Sequence, residues 1–488
     1  MKKLIAVLLA FATLISFSAC SDKNPDDDDI YQTTSPDSMN EGVLNLAYSE
    51  VDSLNPFTCT TSANMQILRL VYSGLFKLDK NYNPVADIAV SGEVADKKVT
   101  VKIGSFRFSD GTPVSVTDVK SSFDKAKASP TYAARLANFE SAGAYEGNIV
   151  IFTLTSDDPY ALSCLDFPII KGGADTDLAT GCGRYIPRFS GESIYLTANP
   201  SKSGFNPAIK TIKLVPVREE NAVISNLEVG NTGFNYDDLS DGEYSRINAK
   251  TVEMGINSFV YLAFNSSSDI FSNKLIRQAA NLAVDRQIIS TTAFQGHART
   301  AYTPFNPDWY PLVSKDLVIA RNKTEANKLI ADSLINIASR EIVFLVNSEN
   351  RFKLEAAEFI AENLREIGFT VNLRKLSAEG LKTALSEGNY DLYIGEIRLT
   401  PNMNLSALLL GGNASFGISN VSESSSRYAQ FLAGNCEIMD FINTFNEDVP
   451  LVPLCYRNAA VSYSNSMQSD FGCCDGDVFA DIETWHFK

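Results

Sequence analysis

Residues 342–394 alternate between short apolar runs and segments with apolar residues at helical spacing, and no other feature constrains the fold as much. Three runs have the length and composition of buried strands, at 342–346, 369–373 and 390–394. The two segments between them carry apolar residues on one helical face and end at Gly368 and Gly388. Strands and helices that alternate through short loops form a largely parallel sheet with both faces covered. The sequence therefore predicts an α/β fold for this part of the chain.

The earlier part of the chain has a different pattern. Residues 99–108 alternate between apolar and polar side chains, as in a half-buried strand, and residues 109–113 have the composition of a turn. Ser115 and Asp118 stand at the spacing of a capping box, so we predict that a helix begins there. Mixed strands, turns and a helix predict a compact α+β unit within residues 76–179.

The N-terminus has the pattern of an export signal. Lys2 and Lys3 precede an apolar run over residues 4–15, and small residues then lead into Cys20. The run is too short for a permanent membrane-spanning helix, so we predict a cleaved signal peptide at residues 1–19. A cysteine directly after small residues resembles the lipobox of bacterial lipoproteins, in which the thiol receives lipid; the alternative is a plain signal peptide with an incidental cysteine. Cys20 is therefore the predicted lipid anchor, outside the cytoplasmic membrane.

Residues 20–41 contain almost nothing to bury. They are rich in Ser, Thr, Asn and Pro and include four consecutive aspartates at 26–29. Such a segment cannot offset its ordering entropy, so it is predicted to be a disordered acidic linker. A metal site is the alternative for the acid run, but repelling carboxylates on a flexible chain usually stay solvated.

The charge and the cysteines narrow the function further. The formal net charge of −16 argues against nucleic acid and against an anionic membrane surface, so the lipid is the expected membrane contact. Apart from Cys20 there are seven cysteines, an odd number, so at least one is free or pairs between chains. Cys473 and Cys474 lack the second half of a zinc site, and His297 and His486 are the only histidines. We therefore predict no metal and no cofactor.

Short motifs stand in a defined order along the chain and resemble one family. Leu54-Asn55-Pro56, Tyr72-Ser73-Gly74-Leu75 and Phe108-Ser109-Asp110-Gly111-Thr112-Pro113-Val114 resemble the start of bacterial extracellular solute-binding proteins of the oligopeptide/dipeptide type, family 5. Thr180-Gly181-Cys182-Gly183-Arg184-Tyr185 resembles the central element of that family. The most diagnostic pieces are Leu262-Ala263-Phe264-Asn265 and Ala283-Val284-Asp285-Arg286, and Pro450-Leu451-Val452-Pro453-Leu454 resembles the return strand. The resemblance spans about residues 43–488.

The resemblance implies a two-lobed type II periplasmic-binding-protein fold with an extra α+β domain inserted in the first lobe. Lobe one is expected to take residues 42–75, 184–256 and 448–488. The inserted domain is expected at 76–183 and lobe two at 257–447. The chain is then expected to cross between the lobes near Asn257-Ser258 and near Asp448-Val449.

The resemblance also implies a function. The lobes close on a peptide or peptide-like solute, and the closed protein docks on an ABC permease that a cytoplasmic ATPase drives. A nickel complex or an oligosaccharide is the alternative ligand, and sensing through a receptor is the alternative role. A monomer is expected because both lobes must move. We predict no enzyme, since zinc-protease, nucleophile-elbow and phosphate-loop motifs are missing, although the carboxylate pair of a glycosidase leaves no local motif.

Two regions supply the expected ligand contacts. In the family, the loop before the first helix touches the ligand, which here points to Cys59, Thr60, Thr61 and Ser62. Their hydroxyl groups suit a polar ligand; the alternative is a solvated turn that caps the helix.

The second region departs from the family pattern. Oligopeptide-binding relatives place an aspartate after the strand equivalent to 390–394, where it pairs with the amino terminus of the peptide. This chain has Glu396, which suits an ammonium group, and Arg398, which suits a carboxylate. Exposed surface charge is the alternative for both. Tyr456 and Arg457 on the return strand are further candidates, with core packing as the alternative for Tyr456.

Overall fold

The computed structural model describes residues 42–313, 315–411, 418 and 423–488. The predicted signal peptide, the lipid-anchor Cys20 and the acidic linker lie outside the described residues. The described strands are β1 (Val43–Ser49), β2 (Phe76–Leu78), β3 (Pro84–Ala86), β4 (Ala89–Ala95), β5 (Lys98–Ile103), β6 (Phe139–Tyr145), β7 (Ile149–Leu154), β8 (Tyr185–Ser190), β9 (Ser193–Ala198), β10 (Thr211–Val217), β11 (Phe234–Asp237), β12 (Lys250–Phe264), β13 (Ala298–Thr300), β14 (Ile342–Asn347), β15 (Val371–Leu376), β16 (Leu392–Arg398), β17 (Leu451–Tyr463), β18 (Met467–Gln468) and β19 (His486–Phe487).

The described helices are α1 (Ser62–Val71), α2 (Val116–Ala128), α3 (Glu220–Glu228), α4 (Lys274–Ala283), α5 (Arg286–Ile288), α6 (Lys323–Ser333), α7 (Arg351–Arg365), α8 (Ala378–Glu387), α9 (Ser406–Leu409), α10 (Glu423–Leu432) and α11 (Ile438–Asp448). None of them combines the length and the hydrophobicity that a membrane crossing needs.

The first sheet has the order β1-β10-β9-β8. β1 runs parallel to β10, with Leu46 opposite Leu214, while β9 is antiparallel to both of its neighbours. Helix α1 follows β1 in the chain and buries Ile67 and Leu70 in the same core. The carboxyl ends of β1 and β10 therefore meet at one edge of the sheet, where the chain turns into α1 and α3.

A second, antiparallel sheet forms the predicted α+β unit, with the order β4-β5-β7-β6. Its helix α2 begins with the predicted capping box, in which Asp118 N–H donates to Ser115 Oγ and Ser115 N–H donates to Asp118 Oδ2 at 2.9 Å. Phe123 of α2 packs on Phe152 of β7, with ring centroids 5.2 Å apart. This local prediction is confirmed.

The large sheet has the order β11-β17-β12-β16-β14-β15, and β13 pairs with β17. The strands and helices predicted within 342–394 are present, and Gly388 ends α8 at a φ of 74°, a conformation that favours glycine. Only β14, β15 and β16 run parallel, because β12 and β17 join the sheet antiparallel. The prediction of a largely parallel sheet is therefore correct for three strands only. β12 runs against these three strands because it carries the chain out of the first core, and β17, antiparallel to β12, carries the chain back.

Strands β12 and β17 pass from one hydrophobic core to the others. Ile256 packs with the first sheet and the α+β unit, whereas Phe259 packs in an aromatic core on the large sheet. The pairing of β12 with β17 shifts in register between Gly255 and Phe259. Along β17, Tyr456 packs in the aromatic core, Ala459 packs with the first sheet, and Ala460 packs in another core of the large sheet. The domain boundaries themselves stay a prediction.

Candidate ligand-binding cleft

A cavity of about 790 Å³ lies where several strands end and two helices begin. Ser49, Val217 and Asp237, the last residues of β1, β10 and β11, line it. Ser62 at the start of α1 and Glu219 before α3 complete this end of the wall. The volume falls within the range of roughly 300–1,000 Å³ that is usual for small-molecule sites. Free backbone groups at strand and helix ends make this edge of the sheet suited to bind a ligand.

The predicted loop contributes three residues to this cavity, namely Thr60, Thr61 and Ser62. Asp52 organises the loop, because its Oδ2 accepts hydrogen bonds from Thr60 N–H at 2.9 Å, Thr61 N–H at 2.7 Å and Thr61 Oγ1 at 2.7 Å. Partial burial opposes ionisation, but these bonds outweigh it and lower the pKa of Asp52. The carboxylate of Asp52 thus lies at the amino end of α1. Ligand contact by the three loop residues stays a prediction.

Cys59, the fourth residue of the predicted loop, lies in the first core and not on the wall of this cavity. Its side chain is 1% exposed and belongs to the first core, and burial raises the pKa of its thiol to about 12. All seven described cysteines are free thiols. The neutral thiol packs in the first core and lines a second, smaller cavity described below.

Glu396 lies in a buried cluster of charges. Lys353 Nζ is 2.6 Å from Glu396 Oε2, and both Arg457 Nε and Ser258 Oγ donate to Oε1. Burial opposes ionisation, but the charges of Lys353 and Arg457 together with these hydrogen bonds lower the pKa of Glu396 to about 2. Both carboxylate oxygens of Glu396 thus have donors within the chain, and ligand contact by Glu396 stays a prediction.

Arg398 and Arg457 are also engaged. Arg398 forms an ion pair with Asp475, although its side chain is 46% exposed. Arg457 is 5% exposed and donates to Glu396 and to the carbonyl of Asp238, next to the cavity. Arg398 pairs with Asp475 through Nη2 only, and Arg457 contacts the cavity wall through the carbonyl of Asp238. Ligand contact by either residue stays a prediction.

Tyr456 is a core residue, contrary to its prediction as a ligand contact. It is 2% exposed, its ring stacks on Phe259 with centroids 5.1 Å apart, and its hydroxyl donates to the carbonyl of Pro304 at 2.8 Å. Alternation along β17 turns this side chain into the aromatic core, whereas Arg457 points to the opposite face.

The end of β11 and the segment that follows it are the part of the site that the sequence analysis missed. Tyr236, Asp237, Asp238 and Asp241 all line the cavity. The sequence carried only a weak signal, the consecutive acids Asp237 and Asp238 after the short run Phe234-Asn235-Tyr236. Lys353 was missed as well, because its pairing with Glu396 joins distant parts of the chain.

A second cavity of about 460 Å³ lies between the first sheet and the α+β unit. Its charged residues largely pair with one another: Arg184 with Asp477 at 2.6 Å, and Lys202 with Asp87 at 2.8 Å. The larger of these two cavities is therefore the candidate ligand site. Within the described part of the chain, no group of three or more His, Cys, Asp and Glu side chains is arranged to hold a metal ion.

Comparison with known proteins gives consistent matches. The model of the family described as bacterial extracellular solute-binding proteins, family 5 Middle, matches residues 83–416. The oligopeptide-binding protein AppA of Bacillus subtilis is 24% identical over 435 residues, covering 80% of this chain and 78% of AppA.

Two solved structures share the fold. The ABC transporter substrate-binding protein CtaP of Listeria monocytogenes matches with a TM-score of 0.71 at 18% identity, covering 91% of this chain and 99% of CtaP. NikZ of Campylobacter jejuni, solved with Ni(L-His), matches with a TM-score of 0.62 at 17% identity, covering 92% and 99%. The family model alone covers more than half of the chain. The chain therefore belongs to the bacterial extracellular solute-binding proteins of family 5 and has the two-lobed α/β fold that its motifs predict.

Proposed function

We propose that this protein is a lipid-anchored extracellular solute-binding protein that captures a peptide or peptide-like solute and delivers it to an ABC import permease. The observation that carries the proposal is the 790 Å³ cavity at the ends of β1, β10 and β11, in a chain of family 5. The oligopeptide-binding relative AppA supports a peptide as ligand.

The proposed motion is a hinge closure about β12 and β17. Both strands run without interruption from one core into another, and the pairing of β12 with β17 is irregular between Gly255 and Phe259. A local irregularity in long strands lets two packed bodies rotate while each core stays intact. The protein acts as a monomer, with lobe one at 42–75, 184–256 and 448–488, lobe two at 257–447, and the inserted domain at 76–183.

A peptide is expected to stabilise the protein against heat. At a ligand concentration of 100 times Kd, binding adds about 2.7 kcal/mol to the free energy of unfolding. We would measure thermal unfolding of the purified protein with a pool of di- to hexapeptides, and identify any co-purified ligand by native mass spectrometry. Absence of stabilisation by every peptide pool would contradict peptide capture.

A nickel complex is the second candidate ligand, because the structural neighbour NikZ was solved with Ni(L-His). The same thermal assay with Ni²⁺ and L-histidine, against L-histidine alone, separates the two. Stabilisation only when Ni²⁺ and L-histidine are both present would favour the nickel complex.

Lipid anchoring and import have separate tests. Cys20→Ala is expected to release the protein from the membrane fraction and to abolish labelling by radioactive palmitate.

Deletion of the gene is expected to reduce uptake of a labelled peptide that binds the purified protein. Unchanged uptake would instead favour a role in sensing.

A further inference from the structure

The candidate cavity is lined by one half of the molecule. Its described lining residues lie within 46–67 and 217–241, and Phe479 joins them from the C-terminal segment. None of these described residues falls within 257–447, the expected second lobe. Because the proposed function requires both lobes to close on a ligand, a conformation in which one lobe alone lines the cavity is the open one. Closure must therefore bring the large sheet towards this cavity.

The α+β unit is fixed to the first sheet. Leu46 and Leu214 of the first sheet pack in the same hydrophobic core as Val101 and Phe152 of the α+β unit. The large sheet has two separate cores, which β12 and β17 join to the first. Since a packed core resists internal rotation, hinge motion is confined to the strands between cores. Any further contact between the α+β unit and the large-sheet body must therefore break when the hinge moves.

Tyr160, in the segment after β7, makes such a contact. Its ring centroid is 4.6 Å from that of Trp309, which lies in the aromatic core of the large sheet. Asn81 makes two hydrogen bonds beside it: its Nδ2 donates to the carbonyl of Asp308 at 2.9 Å, and its carbonyl accepts from Tyr310 N–H at 2.9 Å. The contact therefore combines buried aromatic surface with directed hydrogen bonds.

The same contact buries a carboxyl group. Asp158 is 4% exposed, and its Oδ2 accepts from Asn402 Nδ2, after β16, at 2.6 Å. Its Oδ1 accepts from Tyr160 N–H at 3.0 Å, and none of the ion pairs in the described part of the chain includes it. Burial outweighs the two hydrogen bonds and raises the pKa of Asp158. The charged carboxylate is therefore disfavoured while the contact is made and is hydrated once the contact opens.

The groups that interact electrostatically with Asp158 are neutral. They are the hydroxyls of Tyr160, Tyr310 and Tyr428 and the thiol of Cys164. Burial raises the pKa of each of the four, so they stay neutral between pH 4 and pH 7. The charged groups Glu437, Arg135 and Asp166 act on Tyr160 or Cys164 and not on Asp158 itself. In this set Asp158 is the group that acid titrates.

We propose that the contact of Asp158 and Tyr160 with the large-sheet body is a latch that holds the protein open and that acid strengthens. The inference rests on the proposed function, since it names what controls closure over the same cavity. When the latch breaks, Asp158 meets water and regains its ordinary pKa of 3.8. The latch therefore has full strength below pH 3.8 and weakens as the pH rises through the raised pKa. Neutral pH favours closure on the ligand, and acidic pH favours its release.

Hydrogen exchange of the ligand-free full chain tests the latch directly. The amide of Tyr310 reports the latch, and the amides of β5 and β14 report the two bodies. After correction for intrinsic exchange, the protection of the Tyr310 amide in the wild type must fall at least fivefold from pH 4.5 to pH 7. Each unit of difference between the two pKa values changes this equilibrium about tenfold. Protection in β5 and β14 must stay unchanged.

Three variants identify the groups responsible. Asp158→Asn removes the charge, keeps an amide oxygen as acceptor, and must abolish the fall in protection with pH. Asp157→Asn, at the adjacent half-buried position, is the matched control and must keep that fall. Tyr160→Ala must lower protection of the Tyr310 amide at least tenfold at pH 4.5, with an unchanged circular dichroism spectrum. Wild-type protection in Tyr160→Ala, or an equal loss in β5 and β14, overturns the inference.

Calorimetry with a peptide that stabilises the wild type against heat tests the effect on binding. Between pH 4.5 and pH 7 the affinity of the wild type must rise at least threefold more than that of Asp158→Asn. This comparison removes the titration of the peptide and of the carboxylates in the cavity, which both proteins share. At pH 4.5, Tyr160→Ala must bind at least threefold more tightly than the wild type, because less of the protein is held open. Unchanged or weaker binding overturns the inference.

The latch and peptide capture fail in different ways. If no peptide binds, peptide capture is refuted and hydrogen exchange alone decides the latch. If peptides bind but exchange at Tyr310 does not depend on pH in the wild type, the latch is refuted and peptide capture stands. The expected exchange together with affinities that neither variant changes shows a contact that does not oppose closure, and this also refutes the latch.

Discussion

The carboxylate of Asp475 accepts a hydrogen bond from the backbone N–H of Asn257 at 2.9 Å. The same oxygen accepts from the hydroxyl of Tyr82 at 3.1 Å, and the other oxygen pairs with Arg398. Asn257 lies within the irregular part of β12, and its amide donates to the carbonyl of Leu399 at 3.0 Å. One carboxylate thus links the α+β unit, the proposed hinge and the end of β16.

Asp475→Ala is expected to lower the free energy of unfolding by about 1–3 kcal/mol. The substitution leaves the N–H of Asn257 and the hydroxyl of Tyr82 without this acceptor and removes the partner of Arg398. Urea unfolding followed by circular dichroism measures the effect. Asp470→Ala, at an exposed position of the same segment, is the control and should stay within about 0.5 kcal/mol of wild type. Equal stability of the two variants would show that Asp475 does not fix the hinge.

Glu396→Gln is expected to cost roughly 3–5 kcal/mol at pH 7, because Lys353 and Arg457 then stay buried without their counter-charge. The cost depends on pH. The pKa of Glu396 is about 2 in the folded protein against an ordinary value of 4.5, so the unfolded chain takes up the proton first. The stabilisation is present above pH 4.5 and is lost as the pH falls towards 2.

Urea unfolding between pH 7 and pH 2.5 tests this dependence. The difference between wild type and Glu396→Gln should shrink as the solution becomes more acidic. Glu358→Gln is the matched control, because Glu358 pairs with Lys375 at 2.6 Å where both side chains are about half exposed. Its effect should stay below about 1 kcal/mol at every pH. A difference for Glu396→Gln that is constant with pH would contradict the low pKa.

The charged groups show where sequence reasoning succeeds and where it stops. Ser115 and Asp118 are three residues apart, so their capping box is a local property and was predicted correctly. Glu396 and Arg398 were recognised as unusual charges, but their partners Lys353 and Asp475 lie on other elements that only the tertiary fold brings close.

The alternation of side chains along a strand explains a second limit to predicting the site from the sequence. Tyr456 and Arg457 are neighbours on β17, and both were predicted to contact the ligand. Successive side chains of a strand point to opposite faces, so one register decides which of the two is in the aromatic core. That register depends on the pairing of Phe259 with Tyr456 across the sheet, which the sequence of β17 alone does not contain.

Asp52→Ala is expected to destabilise the protein by about 1 kcal/mol and to weaken ligand binding. Asp52 holds the turn before α1 through the N–H groups of Thr60 and Thr61, and Thr61 itself makes no capping bond with its side chain. Without Asp52, the loop that lines the cavity is free to move. The conformational entropy lost when the ligand orders this loop then lowers the affinity. Thermal unfolding and calorimetry measure the two effects, with Asp332→Ala as control. A stable variant with wild-type affinity would show that the loop needs no anchor.

Tyr456→Phe separates a role in the core from a role in ligand binding. The variant keeps the ring that stacks on Phe259 and loses only the hydrogen bond to the carbonyl of Pro304. Because that carbonyl is then left without its donor, the free energy of unfolding should fall by about 0.5–1.5 kcal/mol. Affinity for any ligand of the wild type should change less than twofold, since the hydroxyl is buried away from the cavity. Unchanged stability together with a tenfold loss of affinity would place Tyr456 against the ligand and contradict its assignment to the core.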